Sequence, residues 1–135
     1  MLGSHETGRE FLVRSCGILV HEDSVLAQEG EDDRGGRVYA LPGGHLEFGE
    51  TLAVGMAREF YEESGLNVEP EKLVYVHENF YTLKAVVTHE IGFYFLVDLN
   101  AAFPTPDADG YIPRREPHIR LRLLDQNCRL LRGQK

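Results

Sequence analysis

Residues 44–66 read GHLEFGETLAVGMAREFYEESGL, and this stretch places five glutamates and one arginine within twenty-three residues. Its second half has the pattern of a helix, because apolar side chains recur at intervals of three to four residues. Thr51 is a suitable N-cap, and Gly65 is a suitable stop because glycine readily adopts the left-handed backbone conformation. The sequence therefore predicts a helix over about residues 51–64.

Three glutamates of this helix, Glu59, Glu62 and Glu63, stand at positions i, i+3 and i+4. This spacing places them on one arc of the helix, where each like-charged pair destabilises by roughly a few tenths of a kcal/mol. Arg58 can pair with Glu62 one turn later, but one guanidinium cannot neutralise three carboxylates, whereas a hard divalent cation could. The alternative is a solvated acidic face. The turn at 41–44 (LPGG) favours the cation, because its bare backbone can approach a ligand closely.

A pattern of glycine, glutamate and arginine residues begins before the helix and continues through it. Gly44 is followed after five residues by Glu50, and after seven more by the run REFYEESGL at 58–66. This pattern resembles the Nudix box, with Phe60 standing where an aliphatic residue is commoner. The resemblance is sharp over residues 41–68 and compatible with the rest of the chain.

The resemblance implies a fold as well as a site. The expected class is α/β, an α/β/α sandwich with a mixed sheet, in which the helix over about 51–64 is catalytic. A weak C-terminal helix is expected over residues 125–135. We expect one domain over residues 1–135, with residues 1–9 forming a loose tail, because 135 residues suffice for a single core.

By the same resemblance, oxygen atoms of four residues bind the metal, namely the side chains of Glu59, Glu62 and Glu63 and the carbonyl of Gly43. Such a set suits Mg²⁺ or Mn²⁺, since both prefer oxygen ligands. Arg58 is expected to orient the glutamates.

The resemblance also implies catalytic roles. The candidates for these roles are Glu50, Arg58, Glu59 and Glu116. Glu50 belongs near the metal, either bonded to Arg58 or to a metal-bound water. The general base is either a glutamate of the box or an acid in a late loop, for which Glu116 is the nearest candidate.

Composition narrows the functional class. The formal charge is −8, with 22 acidic against 14 basic residues, which disfavours binding along a nucleic-acid backbone, although an RNA 5′ end stays open. No apolar run has the roughly 18–20 residues that a membrane helix needs, and no export pattern opens the chain, so we expect a cytoplasmic protein without a membrane partner. Cys16 and Cys128 are too few for a disulfide framework or a zinc site.

Hydrophobic alternation predicts the sheet. Strands are expected at 11–21, 24–28, 38–41, 72–81, 85–98, with a break at Gly92, and 118–124. The segments 29–37 and 103–117 are expected to be loops, because the first is charge and glycine and the second holds four prolines. The loop at 29–37 is either a lid or a solvated connector.

Two functional hypotheses remain from the sequence. The first is a Mg²⁺-dependent hydrolase that cleaves a phosphoanhydride bond in a nucleoside diphosphate linked to another group, such as ADP-ribose or a nucleoside triphosphate. The second is a Nudix-like nucleotide sensor without catalysis, whose box is usually degraded, whereas this box is intact. A small nucleotide is the expected partner, and a homodimer stays open.

Overall fold

The computed structural model describes residues 5–6, 8–113 and 115–125 of the chain. Over these residues it contains nine strands and one helix. In chain order the elements are β1 (His5–Glu6), β2 (Arg9–Ile18), β3 (Val20–His21), β4 (Ser24–Glu31), β5 (Arg37–Ala40), β6 (Gly43–His45), α1 (Leu52–Ser64), β7 (Val68–Leu83), β8 (Val86–Leu99) and β9 (Arg120–Asp125). The α/β class predicted from the sequence is confirmed, with strands dominant and one helix in the described part.

The larger sheet is mixed and has five strands. Its order is β1-β2-β8-β7, and β6 also pairs with β2. β2 and β8 run parallel, while the other pairs are antiparallel. The hydroxyl of Ser15 in β2 donates to the carbonyl oxygen of Leu52 at 2.8 Å, which ties the first turn of α1 to this sheet.

The smaller sheet is antiparallel and has four strands, β3-β4-β5 with β9 on the other side of β4. Both sheets and the helix share one hydrophobic core. Met56 and Phe60 of α1 are 0% exposed and pack in one cluster with Leu26 of β4, Phe95 of β8 and Leu121 of β9. Burying a side chain such as Phe60 contributes about 2–3 kcal/mol to folding. The apolar stripe of α1 therefore fixes the helix against the sheets.

The helix lies very close to β2 at one point. A Cβ atom on Gly17 would stand 2.8 Å from the ring of Phe60 and 3.2 Å from the sulfur of Met56. Glycine is needed here because the helix side chains occupy the space that any other residue would fill.

The prediction of a loop over residues 29–37 is wrong. β4 continues to Glu31 and β5 begins at Arg37, so only a tight turn separates them. The carboxylate of Asp32 closes this turn by accepting the N–H groups of Arg34 and Gly36 at 2.9 and 2.7 Å. The charge of Glu29 is not solvated either, since tyrosine hydroxyls donate to it, as described below. A charged segment can therefore be a strand when its charges have partners in the fold.

The prediction of a loose tail over residues 1–9 is wrong for residues 5–6 and 9, while residues 1–4 and 7 lie outside the described part of the chain. Arg9 already begins β2, and His5–Glu6 pairs with Glu10 and Arg9 across a turn at Gly8. Gly8 has φ 79°, a left-handed conformation that glycine adopts easily, and this reverses the chain. The expected C-terminal helix lies outside the described residues except for Asp125, which ends β9.

Other element boundaries shift by a few residues. β7 is longer than predicted, whereas β8 has the predicted length and is shifted by one residue. β8 passes through Gly92 without a break, since its register with β2 is continuous there. The turn between β7 and β8 falls at Lys84 and Ala85, which both have positive φ. Within the described part of the chain, no helix has the length and apolar character needed to cross a membrane.

Candidate active site

Helix α1 is capped at both ends as the sequence predicted. The hydroxyl of Thr51 accepts the N–H of Val54 at 3.2 Å. Gly65 has φ 75° and donates its N–H to the carbonyl oxygen of Tyr61, which ends the helix. These caps set the limits of α1, and the burial of Met56 and Phe60 sets which face its glutamates occupy.

Arg58 and Glu50 form a two-pronged ion pair. Nε of Arg58 donates to Oε2 of Glu50 at 2.5 Å, and a terminal nitrogen donates to Oε1 at 3.0 Å. The N–H of Glu47 donates to the same Oε1 at 2.9 Å. The hydrogen bonds from Arg58, followed by that from Glu47, lower the pKa of Glu50. Glu50 therefore stays ionised and holds the guanidinium in one orientation.

The free edge of the same guanidinium faces three further carboxylates. Nη1 of Arg58 lies 3.2 Å from Glu62, 3.6 Å from Glu59 and 3.8 Å from Glu47. The contact with Glu62 joins side chains four residues apart on the helix. Arg58 thus contacts four of the five glutamates in the 44–66 stretch.

Glu63 lies against Gly43, which together with Gly44 ends the predicted turn and begins strand β6. The N–H of Gly43 donates to Oε1 of Glu63 at 3.2 Å, across twenty residues of sequence. Burial raises the pKa of Glu63 to about 7, with the charges of Glu59 and Glu116 adding to the rise and the Gly43 hydrogen bond and Arg14 opposing it. A carboxylate in this position would be stabilised by any cation that approached it.

Glu59 lies against the other glycine of the turn. A Cβ atom on Gly44 would collide with the carboxylate of Glu59, so glycine is required for the close approach. Burial raises the pKa of Glu59, and the neighbouring carboxylate of Glu62 raises it further, while Arg58 opposes the rise. Both glycines of the turn therefore contact glutamates of the helix.

The residues present fit a divalent cation. In the part of the chain that the structure describes, no group of three or more Asp, Glu, His or Cys side chains is already arranged as a metal site. Glu59 and Glu63 nevertheless have raised pKa values in a donor set made of carboxylates. Oxygen donors of this kind suit Mg²⁺ and Mn²⁺, and a cation would remove the repulsion between them.

Glu116 lies in the loop before β9 and is close enough for its charge to raise the pKa of Glu63. Its carboxylate is 3.3 Å from Nε2 of His118 and is about two-fifths exposed, at 38%. The structure therefore brings the late-loop acid toward the helix, although its role as a base stays a prediction. The Gly43 carbonyl oxygen stays a predicted ligand as well.

A cavity of about 390 Å³ is lined by residues of β2, β7 and β8. Its polar walls include Arg14, His45, Tyr81 and Glu90. Glu90 accepts hydrogen bonds from His45 at 3.0 Å and from Tyr81 at 3.1 Å. The hydrogen bond from His45 is the main cause of a lowered pKa at Glu90, which keeps a negative charge in the cavity.

Arg14 links this cavity to the acidic helix. Its positive charge lowers the pKa of both Glu63 and Glu90, so the guanidinium is near each of them. The sequence analysis did not single out Arg14 or Glu90. Neither has a local signal, because one lies within an apolar run of β2 and the other within an apolar run of β8.

The NUDIX domain model matches residues 12–122, which is more than half of the 135-residue chain. The chain belongs to the NUDIX family. The family assignment made from the box is therefore confirmed.

Curated relatives agree with this assignment. A MutT-like protein from Streptomyces ambofaciens is 42% identical over 67 residues, covering 50% of this chain and 42% of that protein. The phosphatase NudJ from Escherichia coli K12 is 31% identical over 94 residues, covering 70% of this chain and 60% of that protein. The chain thus matches about half of the length of these relatives.

Solved structures show the same fold. A UDP-X diphosphatase superposes with a TM-score of 0.63 at 20% identity, covering 84% of this chain and 50% of that one. A MutT protein from Bacillus halodurans superposes with a TM-score of 0.61 at 21% identity, covering 84% of this chain and 68% of that one. At these identities the likeness concerns the fold alone.

Proposed function

We propose that this Nudix domain is a hydrolase that cleaves a phosphoanhydride bond of a nucleoside diphosphate linked to another group. ADP-ribose and nucleoside triphosphates are the substrates to test first. The observation that carries the proposal is the arrangement of Arg58, which is fixed by Glu50 and contacts Glu59 and Glu62 on one face of the helix.

The chemistry of the reaction explains why these residues would be needed. Hydrolysis of a phosphoanhydride requires a water in line with a phosphorus that is already surrounded by negative oxygens, so positioning and charge neutralisation supply most of the catalysis. We propose that Glu59, Glu62 and Glu63 hold Mg²⁺ or Mn²⁺. When bound, the cation would neutralise phosphate charge and activate water.

The other groups of the chain would position and transfer protons. Glu50 and Arg58 restrict the rotation of the helix carboxylates, because a bidentate pair fixes the plane of the guanidinium. Glu116, which is close enough to influence Glu63, is proposed as the general base, with Glu59 as the alternative. Replacing each in turn with glutamine tests this point: the base is the residue whose loss removes the acidic limb of the pH profile of kcat.

The cavity beside Arg14 has the size and polarity for a nucleotide group. Its volume of about 390 Å³ lies within the range of small-ligand pockets, and its walls also include Tyr94 and Asn79. We propose that the nucleoside side of the substrate binds there. Its phosphates would then extend past Arg14 toward the acidic helix.

The test is a chromatographic assay that follows the loss of substrate and the formation of the nucleotide product for a panel of nucleotides with Mg²⁺. The panel contains ADP-ribose, nucleoside triphosphates, dinucleoside polyphosphates and a capped RNA 5′ end. We expect turnover by the wild type and a loss of at least about a hundredfold in the double variant Glu62→Gln with Glu63→Gln. Glu31→Gln, which changes an exposed carboxylate of β4, is the matched control and should keep full activity.

The same assay separates the enzyme from a sensor. Binding of a nucleotide without turnover of any panel member would favour the sensor and contradict the proposed hydrolase. Turnover that survives the double variant would instead show that the cation site has been assigned to the wrong residues.

A further inference from the structure

Strand β8 provides part of the lining of the cavity beside Arg14. Its residues Glu90, Gly92 and Tyr94 all line this cavity, at every second position, as expected for one face of a strand. A Cβ atom on Gly92 would stand 3.1 Å from the ring of Tyr94, so glycine allows this ring to lie close to the strand. The ring of Tyr94 therefore extends over Gly92 toward Glu90 and provides a flat aromatic surface in the cavity.

The neighbouring strands place polar side chains beside these residues. Arg14 of β2 and His77 of β7 stand on either side of Gly92, and Asn79 of β7 stands beside Glu90. Nε2 of His77 is buried and has no hydrogen-bond partner within the described residues. A buried polar atom without a partner costs free energy, so a polar ligand in the cavity would stabilise this histidine.

The carboxylate of Glu90 has one oxygen that is occupied and one that is available. Nε2 of His45 and the hydroxyl of Tyr81 both reach Oε2, at 3.0 and 3.1 Å, and no other described residue reaches Oε1. The lowered pKa of Glu90, caused chiefly by the hydrogen bond from His45, keeps the side chain ionised. An ionised carboxylate only accepts hydrogen bonds, so a ligand group at Oε1 must be a donor.

The charges of the cavity also orient a nucleotide. The negative charge of Glu90 repels phosphate, whereas Arg14 attracts it and lies near Glu63 of the acidic helix as well. The phosphates therefore belong on the side of Arg14, and the base belongs at Glu90.

Among the common bases, guanine has the hydrogen-bonding edge that suits Oε1 of Glu90. Guanine places two N–H donors side by side, N1–H and N2–H, and one carboxylate oxygen can accept both. Adenine and cytosine place an acceptor nitrogen beside the amino group, and uracil has a single N–H between two carbonyl groups. Each of these three bases would bring an acceptor against the carboxylate.

We propose that the cavity selects guanine nucleotides, with Oε1 of Glu90 accepting N1–H and N2–H of the base and the ring of Tyr94 stacking against it. O6 of guanine is then the acceptor for Nε2 of His77. This inference rests on the proposed binding of the nucleoside in the cavity, and it narrows the substrate class of the proposed hydrolase.

The first test is calorimetric binding of nucleoside monophosphates in the presence of Mg²⁺. These ligands contain no phosphoanhydride bond, so their binding is measured independently of turnover. We expect wild type to bind GMP at least about tenfold more tightly than AMP. IMP, which lacks only the 2-amino group of guanine, should lie between them. 2′-Deoxy-GMP should bind as GMP does, because the base and not the sugar contacts Glu90.

The second test is the same titration of Glu90→Gln. The donors His45 and Tyr81 should keep the amide oxygen at the position of Oε2, which leaves the NH₂ group at the position of Oε1. An NH₂ group there opposes N1–H of guanine and can donate to N1 of adenine. Binding of GMP should therefore weaken at least about tenfold, while binding of AMP stays equal or becomes tighter.

Glu78→Gln is the matched control. Glu78 also pairs with a histidine, since its carboxylate lies 2.9 Å from Nε2 of His89. It stands between the cavity residues His77 and Asn79 on β7 and so points to the opposite face of the strand. This variant should bind all the ligands as wild type does, and circular dichroism verifies that both variants are folded.

The outcomes separate this inference from the proposed hydrolase. Wild type that binds GMP and AMP alike, or binds neither, would overturn the inference. An equal loss of GMP and AMP binding in Glu90→Gln would leave Glu90 only as a counter-charge for Arg14, and a loss confined to 2′-deoxy-GMP would place the sugar at Glu90; both contradict the inference. A preference for GMP without turnover of any guanine nucleotide would support the inference and contradict the hydrolase.

Discussion

Glu63 offers a direct test of the electrostatics of the site, because its charge is unfavourable without a metal. Its pKa rises from 4.5 to about 7 on folding, chiefly through burial. The folded protein therefore binds a proton more tightly than the unfolded chain, so the free energy of unfolding falls as pH increases from about 4.5 to 7. The loss is complete above pH 7.

The size of this effect follows from the pKa difference. At about 1.4 kcal/mol for each pH unit, the difference between 4.5 and about 7 gives a ceiling of roughly 3–4 kcal/mol. The carboxylate keeps some contact with solvent, which screens its charge, so we expect about half of that ceiling. In Glu63→Gln the amide oxygen can still accept the Gly43 N–H, while the charge is gone. The variant should thus be about 2 kcal/mol more stable than wild type at pH 8 and equal to it near pH 4.5.

Urea unfolding in the presence of a chelator measures this difference. The free energy of unfolding of wild type, Glu63→Gln and the control Glu31→Gln is compared at pH 4.5 and pH 8. Between these two pH values, wild type and Glu31→Gln should lose the stability that Glu63 contributes, and Glu63→Gln should not. Addition of Mn²⁺ should then stabilise wild type more than Glu63→Gln, because a cation binds the folded state through this charge. Equal pH dependence in wild type and Glu63→Gln would refute the argument.

Three other substitutions test the geometry. Arg58→Lys should lower kcat about a hundredfold at saturating Mg²⁺, since lysine cannot form the bidentate hydrogen bonds that Arg58 makes with Glu50. A rate within about twofold of wild type would show that Arg58 serves only as a positive charge beside the glutamates. Gly44→Ala should displace Glu59 and lower kcat with an unchanged circular dichroism spectrum, and full activity would show that Glu59 can move without consequence. Phe60→Ala should cost about 3–5 kcal/mol in urea unfolding, because it empties the centre of the core, and a loss below about 1 kcal/mol would contradict that position.

The local part of the site could be predicted from the sequence. The helix limits follow from Thr51 and Gly65, and the contact between Arg58 and Glu62 follows from their spacing, because both depend on residues within one helical turn. For Glu50 the sequence leaves two alternatives, a hydrogen bond to Arg58 or one to a metal-bound water. The choice depends on the path of the loop before α1, which periodicity does not determine.

The prediction failed where charged residues find partners far away in sequence. The sequence predicts Glu29 in a charged loop, either a lid or a solvated connector, yet its carboxylate accepts the hydroxyls of Tyr39 at 2.9 Å and Tyr111 at 2.8 Å. Arg122 of β9 lies 3.6 Å from the same carboxylate. Tyr111 is eighty-two residues from Glu29, so no local pattern could have indicated the strand.

The difference between local and distant contacts also explains why the motif at residues 44–66 indicates a reaction but not a substrate. The expected cation ligands all stand on one helix or on the turn before it, and a short motif can specify them. The cavity is different, because Arg14 of β2 and Glu90 of β8 meet only through the parallel pairing of two strands seventy-eight residues apart, which sets Arg14 opposite Gly92. With the nucleoside bound in this cavity as proposed, substrate preference would depend on sheet register, and changing the cavity side chains should alter specificity without altering the helix carboxylates.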